Sequence, residues 1–336
     1  MSFTVATPLQ PETFQGRQQT IQQVSARLAH PNFQSTCLAG GPTTGKTSLL
    51  RFLAQSKAIG DQPGFKGRYR VFFQGESVGF KMKPAGFWAG VLKDLLAQVE
   101  ANAALKAVVN PALERARKGE IDIYDLEDVF EVFGKANSPV VLFVDDFDNL
   151  LRNENFWPPD DFFHHVRSLA QSVPRGLAFV ITTPRALIDL WDPTRAASPF
   201  YNIFDNLLIG RIDEDEARAF VKNGFQALGL VLDAAVADQI VAIASGHPCL
   251  LNFVADVYAD SFKNGKPVDA LLNNAFQDPN GLPVTLNRQI RAQLSVFEKT
   301  MVDSLEKTPD ALTVVQREQL RKLHGYGLLR PGLKLP

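Results

Sequence analysis

The sequence predicts an α/β fold in which helices cover a parallel β-sheet, followed by a small all-helical region. From Ser35 to Gly210, short apolar segments alternate with longer stretches of helical periodicity, the order expected of β-α units. The short segments are apolar at nearly every position, as in strands that are buried on both faces. After Gly210 only helical patterns are clear. The predicted strands are residues 35–39, 69–73, 140–144, 177–182 and 206–210.

The region after Gly210 divides into two parts. The segment Asp278–Pro283 combines Pro, Asn and Gly and is the strongest linker signal in the chain. Before it, amphipathic helices are predicted at 213–229, 234–246 and 248–262. After it, helical patterns at 286–305 and 314–329 precede a short tail that could form a β-ribbon. We therefore predict three domains, at residues 1–210, 211–277 and 284–336.

Composition indicates a folded protein and excludes several classes. Hydrophobic residues make up 45% of the chain, which is ample for a packed core. The net charge of −1 gives no overall attraction to nucleic acid or to an anionic membrane. Two cysteines, Cys37 and Cys249, are too few for a disulfide scaffold or a four-ligand zinc site. Because no signal-peptide pattern and no membrane-length apolar run occurs, we expect a cytoplasmic protein.

The strongest motif is GGPTTGKT at residues 40–47, which fits G-x-x-x-x-G-K-[ST] between a predicted strand and a predicted helix. Glycines let the backbone wrap around phosphates, and the helix adds its positive end. Lys46 is expected to reach the β- and γ-phosphates, and the Thr47 hydroxyl to coordinate Mg²⁺. The predicted phosphate-binding residues are Gly41, Pro42, Thr43, Thr44, Gly45, Lys46, Thr47 and Ser48.

A second element is VVLFVDDFD, an apolar strand that runs into acidic residues. A carboxylate at the carboxyl edge of a buried parallel strand lies where α/β proteins bind ligands, so Asp145 is expected to hold the water shell of Mg²⁺. Asp146 could then orient or polarise the attacking water. Asp148 could touch the metal or cap the following helix.

Other chemistries have weaker support. No G-x-S-x-G nucleophile motif occurs, and His164 and His165 follow the spacing of an amphipathic helix, so we interpret them as packing or surface residues. The abundant Phe residues follow helix and strand periods, which favours a core over a base-stacking surface.

Together with these motifs, Phe14-Gln15-Gly16-Arg17 and Gly246-His247-Pro248 make residues 12–265 resemble the STAND branch of AAA+-related ATPases, in its prokaryotic AAA-like form. The resemblance implies that Arg17 and its neighbours line the base pocket. It also implies that His247 and Pro248 contact the nucleotide, although the Gly-His-Pro trio is equally suited to a helix–helix corner.

The resemblance also implies a polar sensor after the fourth strand, at Thr182-Thr183-Pro184-Arg185. In one interpretation Arg185 interacts with the γ-phosphate, and in the other it is a surface arginine. Many AAA+ motors have Asp-Glu where this chain has Asp145-Asp146, so hydrolysis should be slow. Arg195 and Arg211 are candidates to face a neighbouring subunit. The predicted catalytic residues are Lys46, Asp146 and Arg185.

The leading hypothesis is a P-loop NTPase of AAA+/STAND type, a nucleotide-operated switch that binds ATP or ADP with Mg²⁺ and presents a surface to a partner protein or effector, with a nucleotide-dependent homo-oligomer as one form. No guanine-reading N-K-x-D motif follows the P-loop, so ATP is favoured. The alternative is a DNA-associated ATPase of initiator, loader or transposition type. Residues 284–336, which resemble a reduced winged helix and carry nine Lys or Arg against five Asp or Glu, would then bind DNA. A nucleotide-stabilised scaffold without useful turnover is a third possibility.

Overall fold

The central element is a five-stranded sheet in which every neighbouring pair of strands is parallel, in the order β2-β3-β4-β1-β5. A computed structural model describes residues 3, 7–75, 79, 81–157, 162–172, 175–192, 194, 199–307 and 313–329. The prediction of a parallel sheet is confirmed. The strands are β1 Ser35–Ala39, β2 Tyr69–Gln74, β3 Val140–Asp145, β4 Leu177–Thr183 and β5 Phe204–Leu208.

The last strand begins two residues earlier than predicted. Phe204 pairs with Ser35 and is buried against Phe200, whereas Asp205 and Asn206 are exposed at the edge of the sheet. An edge strand buries only part of its side chains, so its first half lacks the continuous apolar run that the prediction relied on.

Helices cover both faces of the sheet. One face carries α1 and α2, and the other carries α3, α4, α5 and α7 with most of the buried phenylalanines, as predicted for Phe. None of the helices in the described ranges is long and apolar enough to cross a membrane. The helices up to β5 are α1 Gln18–Ala29, α2 Lys46–Gln55, α3 Pro84–Gln98, α4 Ala103–Lys118, α5 Ile123–Lys135, α6 Asp148–Arg152, α7 Phe162–Ser172 and α8 Leu187–Leu190.

The helices after β5 form a separate apolar core. The three predicted helices are present, and a fourth lies before the linker. Leu286 and Ile290, from the region that the sequence analysis assigned to the C-terminal domain, belong to this core. The helices are α9 Glu214–Ala227, α10 Ala234–Ala244, α11 Pro248–Asn264, α12 Val268–Gln277 and α13 Leu282–Ala292.

The last two helices, α14 Val296–Lys307 and α15 Val314–Gly325, instead join the core on the α3–α7 face of the sheet, through residues such as Leu305 and Leu323. The predicted helix at 286–305 is broken between α13 and α14. Ser295 caps α14, since its hydroxyl accepts from Glu298 N and its N–H donates to the Glu298 carboxylate. The predicted β-ribbon falls on residues 330–336, outside the described residues.

Candidate functional site

The P-loop lies between β1 and α2, as predicted. Gly45 has φ +88°, a conformation that glycine adopts readily, and it is the residue that precedes the first turn of α2. Gly40 N–H donates to the Thr183 carbonyl at 2.9 Å, so the loop starts at the carboxyl end of the sheet next to β4. The first N–H groups of α2 and the loop backbone therefore lie where P-loops bind a phosphate, and phosphate binding here stays a prediction.

Lys46 is the cation of this loop. Its Nζ donates to the Gly41 carbonyl at 2.9 Å. Burial lowers the pKa of Lys46, and the carboxylates of Asp146, Asp145 and Asp148 partly oppose that shift. The Lys46 side chain is thus within electrostatic influence of three acidic side chains at the carboxyl end of the sheet.

Asp145 ends β3, Asp146 follows it, and both are linked to β4 through one side chain. Thr182 donates its hydroxyl hydrogen to Asp145 Oδ1 at 2.6 Å and accepts from Asp146 N–H at 2.8 Å. Asp146 has φ +45°, in the left-handed region. Asp148 begins α6 and pairs with Arg152 at 2.7 Å. The predicted sensor position at Thr182 is therefore in direct contact with the predicted metal ligand Asp145 and with the predicted catalytic residue Asp146.

A cavity of about 210 Å³ extends from the P-loop to the helical region. Arg17, Pro248 and the P-loop residues Thr43 to Ser48 line it, as the sequence analysis expected. Gly41, Pro42 and His247 are not among its lining residues. The other described lining residues are Thr7, Pro8, Leu9, Phe14, Gln15, Ile212, Phe220, Cys249 and Asn252.

Arg17 fastens the P-loop to the segment between β5 and α9. Its guanidinium donates to the carbonyls of Thr44 at 3.1 Å, Arg211 at 3.0 Å and Gly210. Burial lowers the pKa of Arg17 to about 10, partly opposed by Glu216. Glu216 in α9 also accepts from Arg17 N–H at 3.0 Å, and so caps the start of α1. The contact between the P-loop region and the helical region is thus charged and half-buried.

His247 is a buried neutral imidazole at the start of α11. Only 1% of its surface is exposed, and neither ring nitrogen has a hydrogen-bond partner among the described residues. Burial, followed by the positive charges of Arg211 and Arg17, lowers its pKa to about 3. The Gly-His-Pro corner is present, with Pro248 in the first turn of α11. A nucleotide contact by His247 stays a prediction.

Arg185 binds the C-terminal helices. Its guanidinium makes a bidentate pair with Glu298, at 2.7 and 2.9 Å, and donates to the Gln293 carbonyl at 2.7 Å. Neither alternative from the sequence described this arrangement, because 113 residues separate the partners. Arg195 lies outside the described residues. Burial lowers the pKa of Arg211.

The sequence analysis missed a contact between the C-terminus and the P-loop. Gly41 N–H donates to the Tyr326 carbonyl, and the Tyr326 hydroxyl donates to Asp189 Oδ2 at 2.8 Å. A Cβ at Gly41 would lie 2.9 Å from Leu328 Cδ2 and 3.2 Å from the Tyr326 carbonyl oxygen, so glycine leaves room for this close approach. The S-x-x-E pattern at 295–298 signals the cap of α14, but no local pattern signals these long-range contacts.

Comparison with known proteins bears on the family and the fold of the chain. The model of the family novel STAND NTPase 1 matches residues 7–322. No curated protein matches the sequence. A Walker-type ATPase of Pyrococcus abyssi is similar in structure, with a TM-score of 0.58 and 18% identity over 96% of this chain and 87% of that one. A RuvB mutant of Thermotoga maritima is also similar, with a TM-score of 0.49 and 14% identity. The match covers 96% of this chain and 89% of that one. The first likeness confirms the P-loop fold, and a winged helix stays a prediction.

Proposed function

The chain belongs to the novel STAND NTPase 1 family, and from that premise we propose that it is an ATP-binding, slowly hydrolysing molecular switch that signals to, or assembles with, a partner protein. The observation that carries the proposal is the hydrogen bond from Gly41 N–H to the Tyr326 carbonyl. Through it, the C-terminal segment touches the loop that would hold the phosphates. A change at the phosphates therefore reaches the C-terminus directly.

The proposed site accepts Mg-ATP. Lys46 and the N–H groups of the P-loop bind the phosphates, and Arg17 and Pro248 border the nucleotide on the side of the helical region. Thr47 and Asp145 would hold Mg²⁺, since a hydroxyl and a carboxylate are oxygen donors and waters and phosphates complete its shell. Bound Mg²⁺ neutralises charge that develops on the phosphates. The buried cation facing three carboxylates supports this assignment.

Asp146 is the proposed positioning group for the attacking water. Its carboxylate is one methylene shorter than the Glu of many AAA+ motors, and its backbone is fixed by the bond to Thr182. A shorter side chain in a fixed backbone has less reach toward a water at the γ-phosphate, so the proposed hydrolysis is slow. Slow hydrolysis suits a switch, because the ATP state then persists long enough to be recognised.

The switch requires that ATP and ADP favour different packings of the chain. We infer that β4 and the segment after it transmit the difference. Asp145 contacts Thr182 in β4, Arg185 three residues later binds Glu298 in α14, and Asp189 binds the C-terminal residues Lys322 and Tyr326. Residues 211–277 are the proposed lid and residues 284–336 the proposed signalling region. To convert a 1:99 population to 99:1, the nucleotide must prefer one state by about 5.5 kcal/mol.

The DNA-associated alternative receives less support. In the described part of the C-terminal region, Arg291 pairs with Asp303, Arg321 with Glu318 and Lys322 with Asp189. These pairs reduce the charge available to phosphates. DNA binding that weakens steeply with salt would restore this alternative. Both cysteines of the chain are buried thiols, which agrees with the proposed reducing cytoplasm.

Hydrogen exchange tests the switch. The protein is compared with ADP and with a slowly hydrolysed ATP analogue plus Mg²⁺, and amide exchange is followed in α14 and α15. We expect faster exchange there in the ATP-like state, because the contact of Tyr326 with the P-loop is lost. Lys46→Met serves as control and should abolish the difference. Identical exchange in the two states, with both nucleotides shown to bind, would refute the switch and favour a scaffold.

A further inference from the structure

Asn252 is a buried amide on the wall of the cavity. It lies in α11, one turn after Pro248, and 9% of its surface is exposed. Several buried side-chain atoms of the described residues have no hydrogen-bond partner. Of these atoms, Asn252 Oδ1 is the one that belongs to a residue lining this cavity. Buried polar atoms are nearly always paired, so an unpaired acceptor beside a cavity indicates a ligand that donates to it.

The orientation of the amide follows from its neighbour. Asn252 Nδ2 donates to the Pro248 carbonyl at 3.1 Å. A carbonyl oxygen only accepts hydrogen bonds, so the amide nitrogen must face Pro248 and the amide oxygen must face away from it. The unpaired atom of the side chain is therefore an acceptor, because the hydrogen bond to Pro248 in the same helix fixes the orientation of the amide.

Asn252 lies away from the phosphate end of the site. It also lines a neighbouring cavity of about 400 Å³ that no P-loop residue borders. Leu9, Phe14 and Phe220 line the cavity that Asn252 shares with the P-loop and supply apolar surface suited to a flat base. Gln15 lines both cavities, but its Oε1 already accepts from Asn223 at 3.2 Å.

We propose that Asn252 selects adenine, its Oδ1 accepting a hydrogen bond from the 6-amino group of the base. This inference rests on the proposed nucleotide site and adds its base specificity. Adenine presents an N6–H₂ donor where guanine presents the O6 acceptor. With guanine, two buried acceptors would face each other without a hydrogen, and sites built to hydrogen-bond one group reject an analogue that cannot pair.

Binding of four nucleotides to the full chain tests the proposal: ATP, GTP, inosine triphosphate and purine riboside triphosphate, the last of which lacks the 6-amino group. By calorimetry, the wild type should bind ATP about tenfold more tightly than purine riboside triphosphate, the value of one neutral hydrogen bond. It should bind GTP and inosine triphosphate more weakly still. In Asn252→Ala, ATP and purine riboside triphosphate should bind with equal affinity.

Asn264→Ala is the matched control, because Asn264 is an exposed residue of the same helix. It should keep the tenfold preference. A wild type that binds ATP and purine riboside triphosphate equally overturns the proposal even if Asn252→Ala does not fold. An unchanged preference in folded Asn252→Ala overturns it as well. If no nucleotide binds the wild type, the proposed function itself fails, which is a different result from loss of base preference.

Discussion

At the scale of single residues, Lys46 interacts with both the P-loop backbone and the acidic residues near the end of β3. Its ammonium donates to Gly41 and faces the carboxylates of Asp145, Asp146 and Asp148, although burial lowers its pKa. A cation in that position costs desolvation free energy in the protein without ligand. Residues that carry such a cost are commonly found where a ligand of opposite charge binds.

We expect Lys46→Met to weaken ATP binding at least about 100-fold, since charge-assisted hydrogen bonds to the phosphates are lost. The thermal midpoint without nucleotide should stay within a few degrees of the wild type, because a buried charge is removed together with its attraction to the carboxylates. Calorimetric titration and thermal melts measure the two effects. Lys57→Met, at an exposed residue beyond α2, is the control. Wild-type affinity in Lys46→Met would contradict the site.

His247 gives a pH prediction at the same scale. In the folded state its pKa is lowered to about 3, whereas an unfolded histidine has a pKa of about 6.5. Between these values the unfolded chain binds the proton and the folded chain does not, so stability falls as pH falls. Between pH 6 and pH 5, protonation of this histidine in the unfolded chain should lower the free energy of unfolding by about 1 kcal/mol.

Urea denaturation at the two pH values measures that cost. His247→Gln should remove it, and His165→Gln, on α7, should keep it. Equal pH dependence in the wild type and His247→Gln would show that the imidazole is protonated in the folded protein. Since the nucleotide cavity adjoins Pro248, the next residue, the same variant also reports whether this corner affects nucleotide affinity.

At the scale of elements, the pair of Arg185 with Glu298 joins the segment after β4 to α14. Side-chain exposure is 15% for Arg185 and 5% for Glu298. Burial alone would raise the pKa of Glu298, but hydrogen bonds from Arg185 and from Ser295 N–H outweigh it and lower the pKa to about 2. The Glu298 carboxylate thus accepts from Ser295 at the start of α14 and also attaches the helix to the segment after β4 through Arg185.

Arg185→Met should destabilise the docking of α14 and α15 by about 3 kcal/mol, because it leaves a buried carboxylate without its partner. The double variant Arg185→Met with Glu298→Leu should recover much of that loss, since neither charge remains. Urea unfolding, with hydrogen exchange to locate the change, measures both. No loss in the single variant would mean that Glu298 is solvated in solution and that the pair does not attach the helices.

At the scale of the whole molecule, the C-terminal helices α14 and α15 pack in the core of the sheet and not in the core of the helices that precede them. Leu305 and Leu323 join the core of the α3–α7 face, whereas α9 to α13 pack in a core of their own. The cavity of the proposed nucleotide site lies between the P-loop and the helical region after β5, and Arg17 bridges the two. Among the described residues, the helices after β5 are therefore divided between a core of their own and the core of the sheet.

This arrangement predicts that the purified protein retains nucleotide. Denaturing fresh protein and identifying what is released, by chromatography with mass detection, should give stoichiometric ADP, because lid and C-terminal segment both contact the nucleotide-binding region and slow exchange. Lys46→Met should release none. An empty wild-type site would favour a freely cycling ATPase and would make DNA-stimulated turnover the next measurement.

Much of the fold and the centre of the site could be predicted from local patterns. Short, mostly apolar segments locate the strands β1 to β4, and the residue spacing of the P-loop locates Lys46 and Thr47 between a strand and a helix. These features depend on residues close in sequence, so a short window contains the whole signal. The predicted position of the edge strand β5 was two residues too late, because about half of the strand is exposed and lacks an apolar signal.

Only the tertiary structure decided which distant groups meet. Arg185 binds Glu298, Arg17 binds Gly210, and the Tyr326 carbonyl accepts from Gly41 N–H across most of the chain. Such contacts depend on how helices pack on the sheet, and neither periodicity nor a motif encodes a partner more than a hundred residues away. The sequence by itself determined that a phosphate-binding loop would form. The packing of α14, α15 and the lid decided what that loop would touch.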